Sequence, residues 1–205
     1  AVTGIVERKH TLPILSNILL QSENGQVQLL ATDLEIQIHT LGAQGAQPDF
    51  RITTNAKKLQ DILRALPDSS TVQLDLADHK LTLKAGKSRF NLQTLPAQDF
   101  PTMNVDENTS AAFALPQETL KHMISQVQHS MAVQDIRFYL NGLLMQTEGN
   151  QLRLVATDGH RLAFTSATLE TELPKHDVIL PRKTVLELNK LLTQPKENVV
   201  VELLD

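Results

Sequence analysis

Alternation of polar and apolar residues dominates this chain. Gln26–Leu30 (QVQLL), Glu35–His39 (EIQIH), Thr71–Leu76 (TVQLDL), Lys80–Lys84 (KLTLK) and Arg89–Gln93 (RFNLQ) place Val, Leu, Ile or Phe at nearly every second position. Successive side chains of a strand point to opposite faces, so this period predicts strands buried on one face. Turn chemistry separates them, at Glu23-Asn24-Gly25, Ala85-Gly86-Lys87 and Glu148-Gly149-Asn150, because Asn and Gly tolerate the backbone angles of tight reversals. Three segments follow a helical period instead. Leu59, Ile62, Leu63 and Leu66 form one stripe, with Lys57, Lys58, Asp61 and Arg64 off it. Leu120, Met123, Ile124, Val127 and Met131 form a second, leaving Lys121, His122, Gln128 and His129 outside. Val185, Leu188, Leu191 and Leu192 form a third, with Arg182, Lys183 and Lys190 outside. Such stripes predict amphipathic helices, and Pro67 and Pro195 stop two of them. Leu95–Thr109 carries two Pro, three acidic residues and little periodicity. It reads as a connector.

The pattern occurs twice. Asn17–Ile38 reads NILLQSENGQVQLLATDLEIQI and Asn141–Ala163 reads NGLLMQTEGNQLRLVATDGHRLA. The two Asn lie 124 positions apart (141 − 17) and Asp33 and Asp158 lie 125 apart (158 − 33), so one residue is inserted between them. Ala56–Leu66 (AKKLQDILRAL) corresponds in the same order to Arg182–Leu192 (RKTVLELNKLL). This period is too long for a solenoid repeat and is the size of a domain. The chain therefore reads as two copies of one sheet-rich α+β domain, 1–108 and 109–205, with two helices per complete copy. The second copy has an extended piece (Ala111–Leu115) and an amphipathic stretch (Pro116–Met131) ahead of its Asn. The first has room for neither. The first copy continues past Leu76 into Lys80–Ala85 and Ser88–Leu95, whereas the second reaches Asp205 without their counterparts. The expectation is an internal piece of a longer protein.

Composition narrows the function. A hydrophobic content of 41% supports real cores, and six Phe, one Tyr and no Trp make those cores aliphatic. The absence of Cys excludes disulfides and thiolate metal sites. No apolar run approaches the roughly 18 residues of a membrane span. The net charge of −4 argues against holding nucleic acid by bulk electrostatics. Such a role needs locally concentrated positive charge, or a hold that is not electrostatic. Asp158 and His160, two apart, suggest acid–base chemistry. The first copy, however, keeps Thr32-Asp33 and has Leu34-Glu35 where the second has Gly159-His160. No nucleophile motif, glycine-rich phosphate loop or metal-ligand spacing accompanies the pair. The shared Thr-Asp reads as a turn whose Asp caps nearby backbone N–H groups. No catalytic residue, metal or cofactor is expected.

Thr11–Leu15 (TLPIL), Ala31–Glu35 (ATDLE), Leu95–Pro101 (LPAQDFP), Gln134–Gly142 (QDIRFYLNG), Val155–Ala163 (VATDGHRLA) and Pro181–Lys183 (PRK) resemble, in order, segments of the bacterial DNA polymerase III beta subunit family, the replicative sliding clamps. That family has three tandem copies of one domain, and two subunits join head to tail into a ring around duplex DNA. The resemblance implies domain one without its first strand and helix, most of domain two, and no domain three. It implies helices facing the hole and antiparallel sheets outside, in a cytoplasmic, non-enzymatic processivity factor. The implied partners are double-stranded DNA, the polymerase III catalytic subunit, the clamp loader and other proteins with a clamp-binding motif. The full-length protein would be a homodimer, with no membrane partner. A ring stays on DNA by topology, which reconciles an acidic chain with a DNA role.

The resemblance also implies site residues. Lys57, Lys58, Arg64, Lys121, Arg182, Lys183 and Lys190 would line the hole. Arg8, Lys9, Gln134, Arg137, Phe138 and Tyr139 would lie next to DNA. In strand alternation one of Phe138 and Tyr139 faces in and the other out. The family's pair here is more often Tyr-Tyr, so Phe138 lacks a hydroxyl, and Val133 stands where a polar or basic residue is common. Leu140, Thr157, Gly159, His160, Arg161 and Leu162 would form the domain-two wall of a groove that receives short partner peptides carrying a Gln and a terminal Leu-Phe pair. Phe90 and Leu92 would sit on an edge strand that pairs with domain three of the partner subunit. An enzyme built on Asp158 and His160, and a stand-alone peptide-binding module, are the competing readings.

Overall fold

The structure, a computed structural model, describes residues 2–6, 12–45, 48–77, 79–103 and 109–204. They fall into two compact units, 1–104 and 105–205. Arg8, Lys9 and Thr11 lie outside the described residues.

The first unit contains β1 (Asn17–Glu23), β2 (Gln26–Thr32), β3 (Gln37–Gln44), β4 (Phe50–Asn55), α1 (Ala56–Ala65), β5 (Gln73–Ala77), β6 (Lys80–Ala85) and β7 (Ser88–Pro96). The strands form one antiparallel sheet in the order β3-β2-β1-β4-β7-β6-β5. Alternation places Ile18, Leu20, Leu81, Leu83 and Leu92 in the core beneath α1. Helix α1 begins where the Asn55 side chain accepts a hydrogen bond from Lys58 N at 2.9 Å, supplying one of the donors a helix start leaves open. Of the predicted stripe, Leu59 is buried, while Leu63 is 44% exposed on a cleft of about 420 Å³ that it shares with Ile18, Leu29 and Leu59. The period places Leu63 at the stripe's margin, where burial depends on what lies opposite. Two boundaries differ from expectation. Glu35 belongs to a turn, and β3 starts at Gln37. The segment read as a connector begins inside the fold: β7 runs to Pro96, and Ala97 and Phe100 pack with Leu19 in a small separate core.

The second unit contains β8 (Thr109–Pro116), α2 (Gln117–Val127), β9 (Gly142–Thr157), β10 (Leu162–Pro181), α3 (Arg182–Leu191) and β11 (Asn198–Leu204). β9 pairs with β10, and β8 with β11, both antiparallel. The predicted stripe of α2 (Leu120, Met123, Ile124, Val127) and Met131 beyond it are all buried, together with Val185 of α3 and Phe113, Leu115, Leu143, Leu152 and Leu154 from the strands. Leu191 is 40% exposed and Leu192 takes the buried place at the end of α3.

Pairing registers repeat between the units. Thr32↔Gln37 and Ala31↔Ile38 of β2 and β3 recur as Thr157↔Leu162 and Ala156↔Ala163 of β9 and β10. Ile18↔Thr54 and Leu19↔Thr53 of β1 and β4 recur as Leu143↔Leu180 and Leu144↔Ile179. A shift of one residue would turn each hydrophobic set to the opposite face. The shared register therefore follows from the shared alternation.

Candidate peptide groove and basic surface

The Thr-Asp turn is the same object in both units. In the first, Leu34 N donates to Thr32 Oγ1 at 3.1 Å, and Glu35 N and Ile36 N donate to Asp33 Oδ1 at 3.0 and 2.8 Å. Thr32 Oγ1 closes the turn on Ile36 O at 2.9 Å. In the second, Gly159 N donates to Thr157 Oγ1 at 3.1 Å, and His160 N and Arg161 N donate to Asp158 Oδ1 at 2.9 and 3.0 Å. Thr157 Oγ1 donates to Arg161 O at 2.7 Å. Asp158 thus caps a turn, as the sequence predicts. The backbone donors from His160 and Arg161, reinforced by the Arg161 side chain at 3.1 Å, lower its pKa to about 2. A carboxylate so stabilised in its ionised form is a poor proton acceptor at neutral pH.

The loop ahead of β9 is built around Asn141. Its side chain accepts from Asp135 N at 2.9 Å and donates to Asp135 O at 2.8 Å, and its backbone oxygen accepts from Arg182 N at 2.8 Å. In the sequence Asn141 stands out only as a marker of the repeat. Its recurrence at a strand entry, shared with Asn17, is the available signal for a structural role. Asp135 carries no such signal. It accepts from Arg137 N at 2.8 Å, Arg137 Nε at 3.0 Å and Arg137 Nη2 at 2.9 Å, and these bonds lower its pKa to about 2. Phe138 and Tyr139 do not alternate across a strand. They lie in a 3-10 turn, Phe138–Leu140, that precedes β9. The capping bond from Asn141 N to Phe138 O at 3.0 Å closes that turn, so strand periodicity does not reach them. Both are exposed, at 81% and 50%, with their rings edge to face at 5.9 Å.

The loop and the turn meet. A Cβ placed on Gly159 would lie 3.2 Å from Arg137 Nη2, so the guanidinium sits over the turn. Around this junction Leu140 is buried, while Leu162 is 65% exposed on the first residue of β10. An exposed apolar side chain on a packed base, with polar groups beside it, is what a short peptide needs. The structure brings Thr157, Gly159, His160, Arg161 and Leu162 onto one turn and strand start, and ties them through Arg137 to the loop that carries Leu140.

The basic candidates lie on helices as expected, but several have partners. Lys57 pairs with Asp61 one turn on, and Lys190 with Glu187. Lys121 Nζ donates to Leu192 O at 2.9 Å, capping the C-terminal end of α3. Arg182 Nη1 donates to Met131 O at 3.3 Å. Lys58 and Arg64 are exposed on α1, and Lys183 is half-buried in the first turn of α3. Gln134 is exposed with φ of +57°. Phe90 and Leu92 turn their side chains inward: Leu92 is buried in the first core and Phe90 packs against it. On the side away from β6, β7 pairs with β4 only through Thr94–Pro96. Any pairing with a partner at Phe90–Leu92 would therefore use backbone rather than these side chains.

A family model described as DNA polymerase III beta subunit, N-terminal domain, matches residues 1–104, and one described as DNA polymerase III beta subunit, central domain, matches residues 114–205. The beta sliding clamp of Salmonella typhimurium is 46% identical over 193 residues, which is 93% of this chain and 52% of that protein. The beta sliding clamp of Pseudomonas aeruginosa is 44% identical over 207 residues, 98% of this chain and 55% of that protein. The chain thus spans about half the length of these relatives. A crystal structure of the Pseudomonas aeruginosa sliding clamp bound to griselimycin superposes with a TM-score of 0.93 at 43% identity, covering 99% of this chain and 55% of that one. Caulobacter crescentus pol III beta gives a TM-score of 0.92 at 38% identity, covering 98% of this chain and 56% of that one.

Proposed function

Because the chain belongs to the DNA polymerase III beta subunit family, we propose that it is the DNA-tethering and partner-docking part of a sliding clamp. The clamp encircles duplex DNA as a head-to-tail homodimer and holds the replicative polymerase on its template. It carries out no chemistry of its own. The observation that carries this reading is the pair of family matches in tandem order, residues 1–104 and then 114–205. In an acidic chain, Lys58 and Arg64 on α1, Lys121 on α2 and Arg182, Lys183 and Lys190 on α3 supply the local positive charge that a loose grip on phosphates requires. Such contacts position without reading sequence. Arg8, Lys9, Gln134, Phe138 and Tyr139 are proposed as further DNA-facing residues, and β7 around Phe90 and Leu92 as the edge that meets the partner subunit. The groove around Leu140 and Thr157–Leu162 is proposed to dock the catalytic subunit, the clamp loader and other motif-bearing proteins in the bacterial cytoplasm.

The test is functional replacement. A chimaera in which this chain substitutes for the matching region of the Pseudomonas aeruginosa clamp should support long, uninterrupted extension on primed circular DNA. Products as short as those made without a clamp would contradict the proposal.

A further inference from the structure

The two copies of the Thr-Asp turn provide an internal control on what Gly159 is for. Its φ is +87°, a region that favours glycine. Leu34 occupies the same place in the first unit with φ of +78° and the same hydrogen bonds. The turn therefore forms with a bulky residue at that angle, and the dihedral alone does not demand glycine. The units differ in what lies above the turn. By the strand register that aligns Asn17 with Gly142 and Ile18 with Leu143, the place of Arg137 is taken in the first unit by Leu12, which has no guanidinium. In the second, a Cβ on residue 159 would lie 3.2 and 3.5 Å from Arg137 Nη2 and Nη1. A free arginine would swing aside. This one is held by Asp135 through both Nε and Nη2, and Asp135 is itself fixed at its backbone by Asn141.

We propose that Arg137 is a positioning residue of the peptide groove: clamped by Asp135 and received by the bare Cα of Gly159, its guanidinium sets the Leu140 loop against the Thr157–Leu162 turn. This rests on the proposed groove and replaces a direct role for Arg137 in holding DNA. Arg137 is exposed and Asp135 half-buried, with side-chain exposures of 49% and 21%, and ion pairs open to solvent on one side add little to global stability. What a bidentate pair adds is direction. Lysine keeps the charge but cannot make the fork. Charge and geometry can therefore be separated by substitution.

The experiment compares R137A, R137K and D135N with the unaltered chain. The probe is a synthetic peptide bearing a Gln and a C-terminal Leu-Phe pair. All three variants should bind it about tenfold more weakly, the size of effect expected when an oriented, charge-assisted interaction is removed. Their thermal unfolding should be unchanged. Without peptide, the amide signals of Gly159, His160 and Arg161 should move in each variant. R137A should keep the salt dependence of DNA binding shown by the unaltered protein while losing the peptide; a slope reduced by about 0.9 would return Arg137 to the DNA and overturn the positioning role. If the unaltered chain binds and R137K binds within twofold of it, the positioning role is overturned and the groove stands. If the unaltered chain does not bind the peptide, the groove falls and this role falls with it.

Discussion

Gly142→Ala is expected to destabilise the second unit by about 3 kcal/mol, more than a single added methyl group ordinarily costs in a core. A Cβ at this position would lie 2.3 Å from the Leu180 carbonyl oxygen and 3.3 Å from Pro181 Cα. Both are backbone atoms, so no rotamer change relieves the clash. The strand cannot retreat cheaply, because Gly142 pairs with Pro181, Leu143 pairs with Leu180, and Asn141 O receives Arg182 N at 2.8 Å. The first unit has Asn17 at the equivalent place, Asn17↔Asn55 standing where Gly142↔Pro181 stands in the second, and its side chain is buried, so the restriction belongs to the second unit alone. Urea unfolding followed through the amides of β9 should show a lower midpoint with an unchanged slope. A loss below about 1 kcal/mol would mean that β10 moves away more easily than its pairing implies.

The double substitution R182A/K183A, made in the chimaeric clamp, should weaken DNA binding and flatten its salt dependence. Both residues lie in the first turn of α3, where positive charge opposes the helix dipole. A role in stabilising the helix electrostatically is therefore disfavoured. Arg182 also donates to Met131 O, but removing that single hydrogen bond should leave the fold intact. Every phosphate that is no longer neutralised should reduce the slope of log affinity against log salt by about 0.9, so the pair should reduce it by up to about 1.8. An unchanged slope would place the first turn of α3 away from DNA.

How much of this is legible in the sequence depends on the range of the interaction involved. Strand alternation and the stripe of α2 are local, and the sheet faces, the α2 core residues and the duplicated register follow from them. The Thr-Asp turn is legible because its hydrogen bonds span only four residues. Alternation misplaces Phe138 and Tyr139 because the Asn141 and Asp135 bonds fold their segment into a 3-10 turn, which strand periodicity does not register. The inward direction of Phe90 and Leu92 is available from alternation, whereas the partly unpaired edge of β7 depends on its neighbours in the sheet. Gly142 and Gly159 carry the least readable information. Each is glycine because of an atom distant in sequence, Leu180 O for one and the Arg137 guanidinium for the other. The neighbourhood of Asp135 and Arg137 is likewise visible only once the loop and the turn are seen together.

The most direct test of a partner-docking clamp surface is an amide-resolved titration of this chain with the peptide bearing a Gln and a C-terminal Leu-Phe pair. In the proposed groove the exposed Leu162, backed by the buried Leu140, is the apolar contact, and the stem of Arg161 can extend it. Saturable shifts should centre on Leu140 and Thr157–Leu162 and leave β5 and β6 of the first unit unmoved. Shifts centred elsewhere, or none at millimolar peptide, would contradict the account.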